Sequence, residues 1–272
     1  MQWEELTASQ FEEAAIQHQV CVLPIGVLEK HGNHLPLGTD MMIANAVCET
    51  AAKIESAIVF PYYFFGQINE GMHYPGTIAV SHRLMLDNLL AMCDEIGRNG
   101  IKKILIISGH GGNGHFLNFF SQEMPRLDRD YQVYIGTAYN FTPDQNKKIN
   151  ETANFGPNDY HAGKMETSIL MHVRNDLVNL AAQTPNEGVS LDRLEEIQKR
   201  GIHTGLNWYA NHPYHYAGDH TTSNADLGAM IFDIMIENVV KDIKAVKADN
   251  ESHAMIREFA NHAQAPSAKQ KH

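Results

Sequence analysis

Four short apolar runs, separated by segments of helical periodicity, constrain the fold of this chain most strongly. The runs cover residues 20–25, 57–60, 103–107 and 132–135. Continuous apolar runs of this length, bounded by turn residues, are typical of strands buried on both faces. Helical patterns lie around them, at residues 10–17, 40–54, 82–97, 113–124, 165–173 and 225–246. Strands that alternate with helices predict an α/β protein: a three-layer α/β/α sandwich with a mostly parallel sheet.

Length and composition favour a single domain over residues 1–272, because a chain of 272 residues with 43% hydrophobic content can form one large core. The last residues, 263–272, are predicted to fray. Pro24 lacks an N–H group, which predicts a strand near a sheet edge or a bulge. Two polar stretches, 140–159 and 201–224, are predicted to be irregular, and long loops of this kind often act as lids.

Charge and cysteine content exclude several classes of protein. The net charge of −11 gives no electrostatic footprint for nucleic-acid binding. Membrane binding is not expected, since no apolar run approaches the roughly 20 residues that a bilayer span requires. The polar, acidic residues 1–5 do not resemble a signal peptide. Cys21, Cys48 and Cys93 are odd in number and form no C-x-x-C pair, so we expect reduced thiols in a cytoplasmic protein.

Five potential metal ligands stand at the ends of predicted elements. Glu29 and His31 are two residues apart after the first strand, so their side chains point to the same side in extended backbone. Asp40 begins a helix after a Gly-Thr turn, His110 directly follows the clearest strand, and Glu166 lies in the first turn of a later helix. Because the carboxyl ends of parallel strands form the ligand crevice of open α/β sheets, these side chains are expected to meet there.

Three carboxylates and two imidazoles suit zinc, manganese or iron(II). Five protein ligands exceed what one catalytic zinc takes, so two ions roughly 3.5–4 Å apart that share a carboxylate fit the count better. Each residue alone has a simpler interpretation. Asp40 could cap its helix, Glu166 could stabilise a helix dipole, and His110 could bond to backbone.

The glycine-rich segment Gly109 to Gly114 favours a competing hypothesis. It matches G-x-G-x-x-G between a strand and a helix, a pattern typical of nucleotide-binding α/β proteins. That class also requires an acidic residue at the end of the next strand, and residues 135–140 contain none. A serine hydrolase lacks its G-x-S-x-G elbow here. A scaffold role would leave the clustered carboxylates and imidazoles without a purpose.

Four segments resemble the hallmarks of the creatininase (creatinine amidohydrolase) family. They are Gly26 to Asp40, Ser108 to Asn113, His161 to Ser168 and Gly218 to Gly228, and the resemblance extends over about residues 3–245. The family implies a creatininase-like α/β/α fold, a two-metal centre, a small-molecule substrate and a homo-oligomer, commonly a hexamer.

The resemblance also implies which residues bind metal. The first ion would take Glu29, Asp40 and His110, and the second would take His31, Asp40 and a further carboxylate. Creatininase has a glutamate where this chain has Gly112, so Glu166 is the natural substitute, as a ligand or as a general base. The expected cofactors are two zinc ions, with manganese or iron as alternatives.

The expected activity is hydrolysis of a C–N bond by a metal-bridging hydroxide, in a non-peptide amide, a cyclic amide or a formamide. His161 would carry the proton to the leaving nitrogen. Hydrolysis of a cyclic ketone derived from a polyol is the alternative on the same site. The chain has no tryptophan between residues 140 and 161, where creatininase closes its site, so creatinine is not the expected substrate. Further residues predicted to line the pocket or support the ligands are His34, Glu70, Tyr74, Gly111, Gly112 and Asn113. The run His212 to Tyr216 is predicted to form a lid or a subunit contact, without binding metal.

Overall fold

The computed structural model describes residues 1–126, 129–156 and 159–264. Its sheet contains four parallel strands, β1 (Val20–Ile25), β2 (Ile58–Val59), β3 (Lys103–Ser108) and β4 (Gln132–Thr137), in the order β2-β1-β3-β4. Since all four run in the same direction, their carboxyl ends lie at one edge, as the alternation of strands and helices predicted.

Ten α-helices occur in the described ranges. Thr7 caps the first helix through a capping box with Gln10. The second begins with Thr39 and Asp40, directly after Gly38. The helices are α1 (Ala8–His18), α2 (Thr39–Ile54), α3 (His82–Arg98), α4 (Asn113–Glu123), α5 (Pro143–Ala153), α6 (Lys164–Arg174), α7 (Glu195–Gln198), α8 (Asn207–Asn211), α9 (Ala225–Ala248) and α10 (Glu251–Gln264).

Helices cover both faces of the sheet. Successive side chains of β1 point to opposite faces, so Val20 and Val22 join a core with α2, α6 and α9, whereas Cys21 and Leu23 join a second core with α1, α3 and α4. Burial of such a side chain contributes about 1.5–3 kcal/mol. The three-layer α/β/α prediction is therefore confirmed. Strands β1, β2 and β3 are buried, as their continuous apolar runs indicated, whereas β4 is mostly half-buried.

The strand of Pro24 is not itself an edge strand, but it lies next to one, because β1 stands between the edge strand β2 and β3. Within the described sheet, β2 pairs with β1 only at Cys21 and Val22. Val22 accepts the N–H of Phe60, and the N–H of Gly26 goes to Tyr63. The backbone nitrogen of Pro24 points to the same side of β1 and lies between these two bonds. The N–H group that proline lacks therefore falls where the pairing with β2 is interrupted.

The stretch 140–159 is not irregular throughout, since it contains α5. Thr142 caps this helix through a capping box with Gln145, and Pro143 occupies its first turn. The stretch 201–224 is largely irregular and contains only the five-residue α8. Residues 263 and 264 end α10, whereas the rest of the tail predicted to fray lies outside the described residues.

Two glycines bring the start of α2 against the ends of the central strands. A Cβ on Gly26 would lie 2.6 Å from the backbone nitrogen of Met41, and one on Gly109 would lie 2.6 Å from the carbonyl oxygen of Asp40. Only glycine permits this approach. Asp40 is thereby held at the carboxyl ends of β1 and β3, next to the segments that carry Glu29 and His110.

The cysteines agree with a further expectation. Cys21, Cys48 and Cys93 are free and buried. No helix in the described ranges combines the length and the apolar character needed to cross a bilayer.

Candidate metal centre

Two groups of three side chains share Asp40 at the carboxyl edge of the sheet. One contains Glu29, Asp40 and His110, and the other contains His31, Asp40 and Glu166. Within each group, one potential ligand atom from every residue lies within 4.8 Å of the others, and Glu29, His31 and Asp40 are at most 1% exposed. The five residues predicted as ligands therefore converge in the structure.

The carboxylate of Asp40 faces both groups. Its Oδ1 lies 3.0 Å from Nε2 of His31, and its Oδ2 lies 3.0 Å from Nδ1 of His110. Glu29 Oε1 lies 2.8 Å from the same Nδ1 of His110. One oxygen of Asp40 thus belongs to each group, which is the geometry of a bridging ligand.

Backbone carbonyls fix which imidazole nitrogen faces the carboxylates. His31 Nδ1 lies 3.2 Å from the carbonyl oxygen of Glu29, and His110 Nε2 lies 2.9 Å from that of Gln67. A carbonyl oxygen only accepts, so these nitrogens carry the protons. The other nitrogen of each ring, Nε2 of His31 and Nδ1 of His110, faces Asp40. The same arrangement occurs in metal sites, where a hydrogen bond from the outer ring nitrogen sets the tautomer. Asn113 supports the arrangement because its Oδ1 accepts the N–H of Gln67.

Two buried carboxylate oxygens lie against one nitrogen of His110. Neither Glu29 Oε1 nor Asp40 Oδ2 has a hydrogen-bond partner among the described residues, although both lie close to His110 Nδ1. With its proton on Nε2, the neutral ring of His110 donates to neither oxygen, and the doubly protonated ring donates to only one of them. Buried polar groups without partners are costly, and a divalent cation between these three atoms would satisfy both oxygens. The residues therefore fit a metal ion.

Glu166 reaches the second group through the turn before α6. The N–H of Ala162 donates to Glu166 Oε2 at 2.6 Å, and Ala162 has a φ of 54°. This turn places the carboxylate 3.9 Å from Nε2 of His31. Burial, with the nearby Asp40 and Glu29 carboxylates adding to it, raises the pKa of Glu166 to about 7.

His161 lies beside both groups. Its Nε2 is 2.8 Å from the carbonyl oxygen of Lys30, so it carries the proton, and its Nδ1 lies 3.9 Å from Glu166 Oε2. Burial lowers the pKa of His161 to about 3, and the neighbouring His31 acts in the same direction, so the ring is neutral. A third group of Glu29, His31 and His161 is also close, but the Nε2 proton of His161 is already donated to Lys30.

The buried imidazoles make the stability of the metal-free protein depend on pH. Burial alone lowers the pKa of His31, but Asp40 and Glu29 raise it to about 10. Protonated His31 therefore stabilises the fold fully below its unfolded pKa of about 6.5, and this contribution is lost as the pH rises toward about 10. We expect the unfolding temperature of metal-free protein to fall between pH 7 and 10 in calorimetry. A His31→Gln variant should show a weaker dependence, and an equal slope in both proteins would contradict the assignment.

The glycine loop packs closely against the site. A Cβ on Gly112 would lie 2.4 Å from Nε2 of His110, whereas Gly111 faces open space and lines a cavity beside Glu166. Together with the contact of Gly109 to α2, this distance explains Gly109 and Gly112 by close packing against the site, without a bound phosphate.

Three predicted pocket residues lie outside the two groups. His34 Nε2 lies 2.9 Å from Oγ1 of Thr167, so this histidine supports the start of α6. Glu70 accepts a hydrogen bond from Gln67, and Tyr74 donates to the carbonyl oxygen of Pro213. A role for these side chains in binding substrate stays a prediction.

The structure brings three further side chains to the site. His215 Nε2 lies 2.5 Å from Glu29 Oε2, although the run His212 to Tyr216 was predicted to be a lid or a subunit contact. The ring of Trp208 lies 5.7 Å from that of His161. The hydroxyl of Tyr139 is buried without a partner in the described part of the chain, beside the cavity that contains His161 and Glu166. Tyr139 had a sequence signal in its position two residues beyond β4, and His215 lies in a histidine-rich run, whereas nothing in the sequence indicated Trp208.

The fold and the site define an α/β/α protein with clustered carboxylates and imidazoles able to hold metal ions at the carboxyl ends of its strands. The sequence model of the creatininase family, described as creatinine amidohydrolase, matches residues 4–243. The chain belongs to this family. Membership confirms the predicted family, and with it the class of enzyme, a metal-dependent amidohydrolase.

Three relatives illustrate the range of the family. The chain is 30% identical to the mycofactocin precursor peptide peptidase of Mycolicibacterium smegmatis, over 84% of this chain and 85% of the relative. It is 26% identical to the creatinine amidohydrolase of Pseudomonas putida, over 65% and 73%. It is 21% identical to the 3-dehydro-scyllo-inosose hydrolase of Thermotoga maritima, over 77% and 68%.

Solved creatininases share the fold. A manganese creatininase superimposes with a TM-score of 0.74 at 20% identity, over 91% of this chain and 99% of that one. A variant creatininase of the Zn–Zn type gives a TM-score of 0.72 at 21% identity, over 91% and 98%. The predicted creatininase-like fold is confirmed.

Proposed function

We propose that this chain hydrolyses a C–N bond of a small molecule with two divalent metal ions. The observation that carries the proposal is the carboxylate of Asp40, which directs one oxygen to His31 and the other to His110. Glu29 would complete the first ion's ligands and Glu166 the second's. Five buried or half-buried ligands drawn from three distant segments are difficult to explain by stability alone, since unpaired buried carboxylates destabilise a fold.

The ligand set favours zinc, with manganese or iron as alternatives. Carboxylates and imidazoles without thiolates suit these three ions. The manganese and Zn–Zn creatininases support the same choice for this chain. When bound, such a pair of ions lowers the pKa of water toward neutrality and polarises a carbonyl group.

The residues around the centre divide the remaining work. Neutral His161 has an unprotonated Nδ1 directed toward Glu166, so it would accept there the proton that the attacking water loses and pass it to the leaving nitrogen. Burial raises the pKa of Tyr139, which keeps its unpartnered hydroxyl neutral. This hydroxyl donates to the substrate oxygen on which negative charge develops.

The cavity indicates the size and character of the substrate. It is an open cleft of about 320 Å³ beside His161 and Glu166, and its walls include Tyr139, Phe141 and Tyr160. An aromatic pocket of this volume suits a compact, partly apolar molecule. We propose an amide, cyclic amide or formamide other than creatinine, because Gly112 and the residues between 140 and 161 depart from creatininase. A cyclic polyol ketone stays the alternative, and the Thermotoga maritima relative supports it.

The experiment that tests this function combines metal exchange with a substrate panel. Protein stripped by a chelator should lose activity and unfold at a lower temperature, and zinc or manganese should restore both. The panel contains cyclic amides, formamides, short peptides and cyclic ketones. Hydrolysis of an amide class that depends on metal supports the proposal. Full activity in the stripped protein, or binding of a nicotinamide cofactor without metal, would contradict it.

Replacement of His161 separates proton transfer from metal binding. In His161→Gln, kcat should fall on the order of 100-fold, while two ions remain bound because His161 belongs to neither group that shares Asp40. Steady-state kinetics on the substrate found in the panel, together with metal analysis, measure both quantities. Loss of an ion in this variant would identify His161 as a ligand and contradict its assignment.

We also propose a homo-oligomer in the cytoplasm, with a hexamer as the expected form. Phe119, Tyr160 and Leu206 are each more than half exposed, which leaves apolar area for subunit contacts. Three free, buried thiols suit a reducing compartment. Sedimentation analysis tests the oligomeric state, and a monomer at micromolar concentration would contradict it.

A further inference from the structure

His215 makes a short, buried hydrogen bond to one of the predicted ligands. Its Nε2 lies 2.5 Å from Oε2 of Glu29, and both side chains are 1% exposed. The two residues are 186 positions apart, so the fold brings them together through the irregular segment before α9. Burial of this pair removes water as a competing partner for Glu29.

Trp208 fixes the tautomer of His215. Its indole Nε1–H donates to Nδ1 of His215 at 3.1 Å, and an indole nitrogen is only a donor. Nδ1 of His215 is therefore unprotonated, and Nε2 carries the hydrogen that Glu29 Oε2 accepts. Oε2 is occupied by this bond, which leaves Oε1 directed at His110.

Three donors hold the turn that carries His215. Lys30 Nζ donates to the carbonyl oxygen of Tyr214 at 2.8 Å. His73 Nε2 and Tyr74 OH both donate to that of Pro213, at 3.0 and 3.1 Å. These contacts maintain His215 at a φ of 53°, a left-handed conformation that is unfavourable for most side chains. Backbone strain of this kind persists where surrounding contacts impose it, often at functional sites.

We propose that His215 is a positioning residue for the metal centre, with Trp208 setting its tautomer. It holds Glu29 so that only Oε1 faces the ion shared with Asp40 and His110. This inference rests on the proposed function, because it presupposes a metal at that group. His215 does not touch the reacting atoms, and its effect acts through Glu29.

The test compares metal affinity in His215→Asn, Trp208→Phe and a control, His203→Asn. Asparagine tolerates the left-handed conformation, and phenylalanine keeps a ring but removes the indole donor. His203 is exposed and lies in the same irregular segment. Competition with a chromophoric zinc chelator measures affinity at each of the two positions. In His215→Asn, we expect one of the two zinc affinities to fall about 10–100-fold. The same affinity should fall by a smaller factor in Trp208→Phe, and both affinities should be unchanged in His203→Asn.

A second readout distinguishes positioning from simple structural support. A structural role predicts a lower unfolding temperature of the metal-free variants with unchanged zinc affinity. A positioning role predicts the reverse. The metal-free variants should unfold within a few degrees of metal-free wild type, and one of the two zinc affinities should be reduced. Trp208 also reports metal binding directly. In a Trp3→Phe background it is the single tryptophan of the chain, and its fluorescence should be quenched as cobalt is added.

The outcomes separate this inference from the proposed function. Wild-type affinity at both positions in His215→Asn and Trp208→Phe would overturn the inference and leave the two-metal proposal intact. Wild-type protein that binds no zinc would overturn both. If His215→Asn does not fold, Trp208→Phe decides, because it retains the imidazole and the turn.

Discussion

Asp40→Asn should remove both metal ions and nearly all activity. An amide oxygen carries no full negative charge, and Asp40 is the carboxylate shared by the two groups. Loss of the pair forfeits several kcal/mol of transition-state stabilisation, and about 5.5 kcal/mol corresponds to a rate loss on the order of 10⁴-fold. Elemental analysis should find fewer than one ion per chain, and the rate on the substrate found in the panel should fall accordingly.

The matched control for this variant is Asp226→Asn. Asp226 is also the second residue of its helix, but it is exposed and outside both groups. The control should keep two ions and full activity. Asp40→Asn with two tightly bound ions would show that Asp40 only supports α2, the simpler interpretation left open by the sequence.

Glu166→Gln should empty one of the two positions. The variant retains the shape of the side chain and an oxygen that Ala162 N–H can still contact, but it removes the only carboxylate that the second group does not share with the first. Metal content should fall from two ions to about one. The rate should fall about 10³-fold, because about 4 kcal/mol of the stabilisation supplied by the pair is lost.

Glu251→Gln serves as control, since Glu251 also lies in a helical first turn but is exposed. If Glu166→Gln keeps two ions and loses only activity, Glu166 acts as a general base, the other role considered for it. If both ions and activity remain, neither role is correct.

The sequence predicted the layers of the fold and the convergence of the five ligands for one physical reason. Apolar runs define the strands, and parallel strands bring whatever follows them to one edge. Glu29 and His110 follow the paired ends of β1 and β3, so their proximity required no knowledge of packing. The helix α5 was missed although Thr142-Pro143 and Gln145 form a recognisable capping signal.

His215 could not be predicted in the same way. It reaches Glu29 from an irregular segment, in a left-handed conformation held by contacts to residues as distant as Lys30. Contacts between residues so far apart in the sequence produce no periodicity or local motif. Pro24 shows the same limit on a smaller scale, because the register of β2, and not the proline itself, decides that a central strand tolerates it.

Location of bound metal in the wild-type protein tests the two-ion site most directly. Anomalous scattering from crystals grown with zinc, combined with elemental analysis in solution, gives both number and position. We expect two ions per chain, one bound by Glu29, Asp40 and His110 and one by His31, Asp40 and Glu166, at roughly 2.0–2.2 Å from their ligand atoms. A single ion, or ions that do not contact Asp40, would contradict the account.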